Sequence, residues 1–119
     1  MDDFCFYPFG DNTLSSLVFN NDSDRKTLYF IIDLLLERAA KIVACSFAGI
    51  MKHTGYGQDP TRPVCICCDG TTLHKLKLMI GKLEYHVKDY IENKMHRYIE
   101  LTKSLNQTLV GAAIAALLN

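Results

Sequence analysis

The chain has no surplus of charge of either sign: 13 Lys and Arg balance 13 Asp and Glu over 119 residues. A protein that grips a phosphate backbone needs a basic patch, so this balance argues against a nucleic-acid partner. The opening Met1-Asp2-Asp3-Phe4 lacks the basic start and apolar stretch of a secretory leader. No apolar run is long enough to span a membrane. The best candidate, 28–51, contains Asp33, Glu37, Arg38 and Lys41. Five cysteines is an odd number, and no secretory mark accompanies them. Reduced thiols in a cytoplasmic protein fit better than a disulfide framework.

A second CxxC is also missing. The run Cys65-Ile66-Cys67-Cys68 is the only dense thiol cluster, whereas a zinc site wants four convergent ligands, usually from paired CxxC turns. On an extended strand Cys65 and Cys67 point one way and Cys68 the other. His53 and His74 are nearest in sequence, and nothing pairs them with the thiols. These cysteines therefore read as small apolar residues in the core of a strand. His86 and His96 read as surface or edge residues.

What the chain does have is apolar material: 49% of its residues, high for so small a domain. Residues 1–23 form an irregular aromatic segment, in which Asn12 can cap a short helix through Val18. With Asp22 or Ser23 as cap, a long helix is predicted over 24–52, ended by Gly55 and the loop 57–60. Asp33, Glu37 and Lys41 are spaced by four and make one narrow polar stripe, read as the solvated face. Nearly all the rest of that helix is apolar, as in a buried helix. So short a chain cannot surround it, which implies that another surface covers it.

A buried strand is predicted over 64–68, closed by Asp69-Gly70. A helix follows with Leu76, Met79, Ile80, Leu83, Val87, Tyr90 and Ile91 on one face, ended at Asn93. A half-buried strand is expected over 95–102 and a last helix over about 108–118. Strand, helix, strand is a βαβ unit, so the fold class is α/β with a parallel pair.

In open α/β sheets ligands sit beyond the carboxyl ends of the strands. Asp69-Gly70-Thr71-Thr72 lies at such an end, just before a helix whose first N–H groups favour anions. The second strand also runs into a polar loop before a helix, from Thr102 to Thr108. Two such loops on one side can embrace one ligand, although Asp-Gly-Thr is also ordinary capping material. Gly111-Ala112-Ala113 reads as close helix packing. No nucleophile–base constellation stands out.

Three motifs resemble the hexokinase family. Arg38-Ala39-Ala40-Lys41-Ile42-Val43-Ala44 resembles its R-[AS]-A-x-L-x-A-A helix. Asp69-Gly70-Thr71-Thr72 resembles the V-D-G-[ST] turn of its adenosine motif. Gly111-Ala112-Ala113-Ile114-Ala115-Ala116 resembles its closing G-A-A-[LIV]-x-A-[AL] helix. Order and intervals agree over roughly 24–118. The resemblance implies a fragment of a ribonuclease-H-like (actin-like ATPase) domain, namely the C-terminal part of the large domain over 24–119. It implies a site for ATP, with Mg2+ carried by the nucleotide. There Asp69 would shape the turn, Gly70, Thr71 and Thr72 would approach phosphate or ribose, and Ser104 and Gly111 would border the adenosine pocket.

The family's reaction transfers the ATP γ-phosphoryl to a hexose. Its first phosphate hairpin, catalytic aspartate and sugar-binding residues have no counterpart in 1–23, so the resemblance implies an inactive piece of a cytoplasmic sugar kinase. Two departures stand out. Leu109 and Val110 replace small residues before Gly111, and Thr72 is an extra residue before Leu73. Excess apolar surface is expected to be covered by a homo-oligomer or by a missing N-terminal half. The rival reading is a non-catalytic interaction or regulatory module built on the same fold.

Overall fold

The computed structural model describes residues 1–18, 20–68, 70, 75–103 and 107–118. Their order is α1 (Asp2–Phe6), α2 (Thr13–Leu17), α3 (Asp22–Thr54), β1 (Val64–Cys68), α4 (Lys77–His86), a π-helical run (Val87–Glu92), β2 (Ile99–Lys103) and α5 (Gln107–Leu118). The chain is thus mixed, with one long helix and a small two-stranded sheet. The pair is parallel, with Val64 opposite Ile99 and Cys68 opposite Lys103.

Helix α3 starts where Asn21 caps it. The Asn21 side-chain oxygen accepts from the N–H groups of Ser23 and Asp24 at 3.0 and 3.2 Å. The cap is therefore Asn21, one residue before the expected Asp22 or Ser23. Asp22 and Asp24 then complement the positive end of the helix dipole in its first turn. The helix ends where Gly55 turns left-handed (φ +78) and its N–H reaches the Met51 carbonyl at 2.9 Å.

The core forms where α3 crosses α4 over the sheet. Ile32, Leu36, Ala40, Ala44, Ala48 and Met51 of α3 meet Met79, Leu83, Val87, Ile91 and Ile99. The alanines in the second half of α3 let the two backbones approach closely. Residues 1–23, read from the sequence as irregular, include the two short helices. Phe4 of α1 is 1% exposed and belongs to the core. A turn over 93–95 and a left-handed His96 (φ +52) delay the second strand until Ile99, four residues later than the alternation at Met95 suggests.

Two expectations about burial are corrected. Strand β1 is covered on one face only: Cys68 is buried and Val64 and Ile66 partly so, while Cys65 and Cys67 are exposed. A two-stranded sheet with helices on one side leaves the other side open, so only the last of the three thiols is core. The Cys65 sulfur sits 3.4 Å from the Thr102 hydroxyl, and that hydroxyl lies 3.6 Å from the Cys67 sulfur.

The polarity of α3 is also the reverse of the expected one. Asp33 and Glu37 lie beside the core, facing α4, whereas Phe30, Ile31, Leu34, Leu35, Ile42 and Ile50 are exposed. Among the described residues no helix is long and apolar enough to cross a membrane.

Candidate functional site

The parallel register decides where the two loops begin. Cys68 and Lys103 are partners at the carboxyl ends of β1 and β2, so the loops after both strands leave the same edge of the sheet. Gly70 stands two residues past β1 with φ +113, a conformation that costs an L side chain dearly and glycine nothing. It is exposed, and a Cβ built on it would meet no atom of the described residues within 4 Å. Asp69, Thr71, Thr72 and Ser104 lie outside the described residues.

Gly111 stands apart from this edge. It lies four residues into α5, away from the first amides of that helix. It is exposed, and a Cβ built on it would meet no atom of the described residues within 4 Å. The close packing expected of Gly111-Ala112-Ala113 is absent among the described residues. Leu109, Val110, Ile114 and Leu117 of the same helix are exposed as well.

The amino end of α4 already holds an anion, and it comes from the chain itself. The N–H of Lys77 donates to one carboxylate oxygen of Asp2 at 2.6 Å, and the N–H of Leu78 reaches the other at 3.4 Å. Orphan amides at a helix start and a carboxylate satisfy each other. A cleft of about 630 Å³ opens beside this contact, lined by Asp2, Phe6, Tyr7, Lys75 and Lys77 among others. Sequence reasoning misses Asp2, because its partners lie 75 residues away and only its place at the start of an aromatic segment marks it.

Between α3 and α4 lies a charged cluster. Lys82 bridges Asp33 at 2.9 Å and Glu37 at 3.2 Å. The His86 Nε2 sits 2.7 Å from the other Glu37 oxygen, which also pairs with Lys41 at 3.2 Å. The His86 side chain is only 13% exposed and that of Glu37 28%. His86 is therefore no surface residue, and the carboxylate stripe of α3 is no solvated face.

Burial alone would push the Glu37 carboxyl up, but hydrogen bonds from Lys82, His86 and Lys41 hold it down at about 2. For Lys82, the hydrogen bond to Asp33 raises the pKa against the opposing effect of burial, and Glu37 adds to the rise. A carboxylate so firmly ionised is a poor proton acceptor near neutral pH. The cluster joins two helices and is not set up for acid–base work. Among the described residues no group of three or more His, Cys, Asp or Glu converges as a metal site would require.

A family model described as hexokinase matches residues 10–118, nearly the whole chain. The chain belongs to the hexokinase family. The match contains α2, α3, the βαβ unit and all of α5. It places the hexokinase-family chain in the sugar-kinase class of phosphotransferases, a family that generally uses ATP and Mg2+. Searches of the curated proteins and of the solved structures found no match.

Proposed function

We propose that this chain is the C-terminal part of the large, actin-like ATPase domain of a hexokinase-type sugar kinase, and that it supplies one side of the ATP site. The observation that carries the reading is the sheet edge: two parallel strands end together, and the second residue past the first is an exposed glycine at φ +113. This edge falls inside the span matched by the family. In this reading Asp69 shapes the turn, and Gly70, Thr71 and Thr72 offer backbone N–H groups and hydroxyls to phosphate or ribose. Ser104 and Gly111 border the adenosine.

A glycine turn at the carboxyl end of a strand suits a phosphate group, whose oxygens accept from backbone N–H groups. ATP with Mg2+ would supply the transferable phosphoryl group, and the metal would be held through the nucleotide. The chain binds and orients. It supplies no base or nucleophile of its own, so in isolation it does not phosphorylate sugar. Residues 24–119 form the incomplete domain, with 1–23 as its leading segment. The setting is the cytoplasm, and the partners of the complete enzyme are ATP and a hexose.

An amide NMR titration with magnesium-ATP tests this. Shifts confined to residues 69–72 and 104–111 are the expected result. A well-dispersed spectrum unmoved by millimolar nucleotide would overturn it. The exposed apolar face of α3 favours a second reading, a non-catalytic interaction module. Mixing the chain with the remaining part of a hexokinase-type domain separates the two: regained sugar phosphorylation supports the enzyme piece, and its absence supports the module.

A further inference from the structure

The small sheet turns one face to the helices and leaves the other open. Side chains alternate along a strand, so Cys65 and Cys67 share the open face while Cys68 faces the core. Both of the first two thiols are exposed and reduced. In the parallel register Cys65 stands opposite Glu100 and Cys67 opposite Thr102. The Thr102 hydroxyl sits between the two sulfurs, 3.4 Å from that of Cys65 and 3.6 Å from that of Cys67. A paired strand thus holds two thiols within reach of one hydroxyl.

We propose that this pair is a binding site for a thiophilic cation that accepts two sulfur ligands, with copper(I) as its representative. Three observations select that chemistry. The first is the number of donors. Zinc wants four convergent ligands. Cys68 faces away, and among the described residues no group of three or more His, Cys, Asp or Glu converges. Two thiolates alone suit a soft cation of low coordination number, and thiolate ligands select copper(I).

The second is spacing. Residues two apart on a strand have Cα atoms about 6.6 Å apart. That is near the upper limit for a disulfide, so a direct sulfur–sulfur bond would pull on the strand. An ion held by two metal–sulfur bonds of about 2.3 Å sets the sulfurs roughly 4.6 Å apart. The ion bridges the gap and leaves the strand as it is.

The third is the surroundings. Among the described residues of the two strands, Glu100 is the one charged residue that the register sets on this face, and it is exposed. Its carboxylate repels anions and attracts cations. The Thr102 hydroxyl is placed to donate to a sulfur that has given up its proton. Binding exchanges two thiol protons for one copper(I) ion, and no electron moves. The inference does not depend on nucleotide binding.

An anaerobic titration of the 119-residue chain with copper(I), against a competing copper(I) chelator, tests the site. The expected result is one copper held per chain, with two sulfur neighbours by X-ray absorption. Cys65→Ser and Cys67→Ser are each expected to weaken binding by more than about 100-fold, since even outer-shell partners of a metal are worth 10–100-fold. Both positions are exposed, so these variants keep the circular dichroism of the wild type. The double variant Cys5→Ser, Cys45→Ser is expected to bind as the wild type does. A chain that takes no copper from the chelator overturns the proposal. So does either serine variant at position 65 or 67 that binds as tightly as the wild type, or a copper shared between two chains at half an ion per chain.

Discussion

Replacing Glu37 by glutamine removes one charge from the α3–α4 cluster while keeping the shape of the side chain. Glu37 accepts from His86 at 2.7 Å and from Lys82 at 3.2 Å. Lys82 keeps Asp33 at 2.9 Å, so the variant strands no lysine. A fully exposed pair contributes about 0.2–1 kcal/mol, and a hydrogen bond to a buried charge about 1.5–3 kcal/mol. Side chains 28% and 13% exposed stand between these limits. Glu37→Gln should therefore lower unfolding stability by about 1–2 kcal/mol at pH 7.

The same change should alter the pH profile. The Glu37 carboxyl lies at about 2 in the folded chain against an ordinary 4.5. A lowered carboxyl stabilises the fold fully above its unfolded value and loses that contribution as pH falls toward the folded one. Wild-type stability should thus fall between pH 4.5 and about 2 partly through Glu37, and the variant should fall less steeply there. Urea unfolding at pH 7, 4.5 and 3 measures both effects. A variant within 0.3 kcal/mol of wild type at pH 7 (about the scatter of independent sites), with an unchanged acid slope, would refute the reasoning.

Gly57→Ala should cost about 2–3 kcal/mol and show as a lowered melting temperature. The residue sits at φ +75, and its Cβ would run into the Met51 methyl and stand 3.0 Å from the Tyr98 carbonyl oxygen. That oxygen is fixed by the Val64 N–H at 2.9 Å and cannot step aside. Asp2→Ala should remove the carboxylate from the start of α4, cost about 1 kcal/mol, and speed hydrogen exchange at the Lys77 and Leu78 amides, as mass spectrometry or NMR would read.

Local signals located the elements well. The Asn-Asn-Asp-Ser run, Gly55, the thiol-rich strand and Asn93 each mark a boundary through backbone chemistry, and the structure follows within a residue or two. The parallel pair follows from the helix between the strands. Of the residues expected at the site only Gly70 and Gly111 are described, Gly70 in a left-handed turn at φ +113 and Gly111 inside α5.

Long-range chemistry was harder to read. A stripe of carboxylates spaced by four looks the same whether it faces water or a neighbouring helix. The clue was the matching step on the other side: Asp33 and Glu37 are four apart, and so are Lys82 and His86. The aromatic N-terminal segment gave no hint that Asp2 would cap α4, because a contact across 75 residues leaves no local trace. The early start assigned to β2 took Met95 for strand, where a turn and a left-handed histidine intervene.

The π-helical run over Val87–Glu92 has a further consequence. The core residues of this segment, Met79, Leu83, Val87 and Ile91, are spaced by four without exception. In an α-helix every four-residue step overshoots a full turn by about 40°. Three such steps would carry the last side chain roughly a third of the way round the helix and off the core. The wider turn of a π-helix takes more residues to close, so it winds the face back toward α3. The run works as a phase corrector that lets a strict four-residue pattern stay buried over its whole length. The same residues wound as an ordinary α-helix would turn Ile91 away from its pocket, so the fold depends here on how many residues close a turn as much as on their kind.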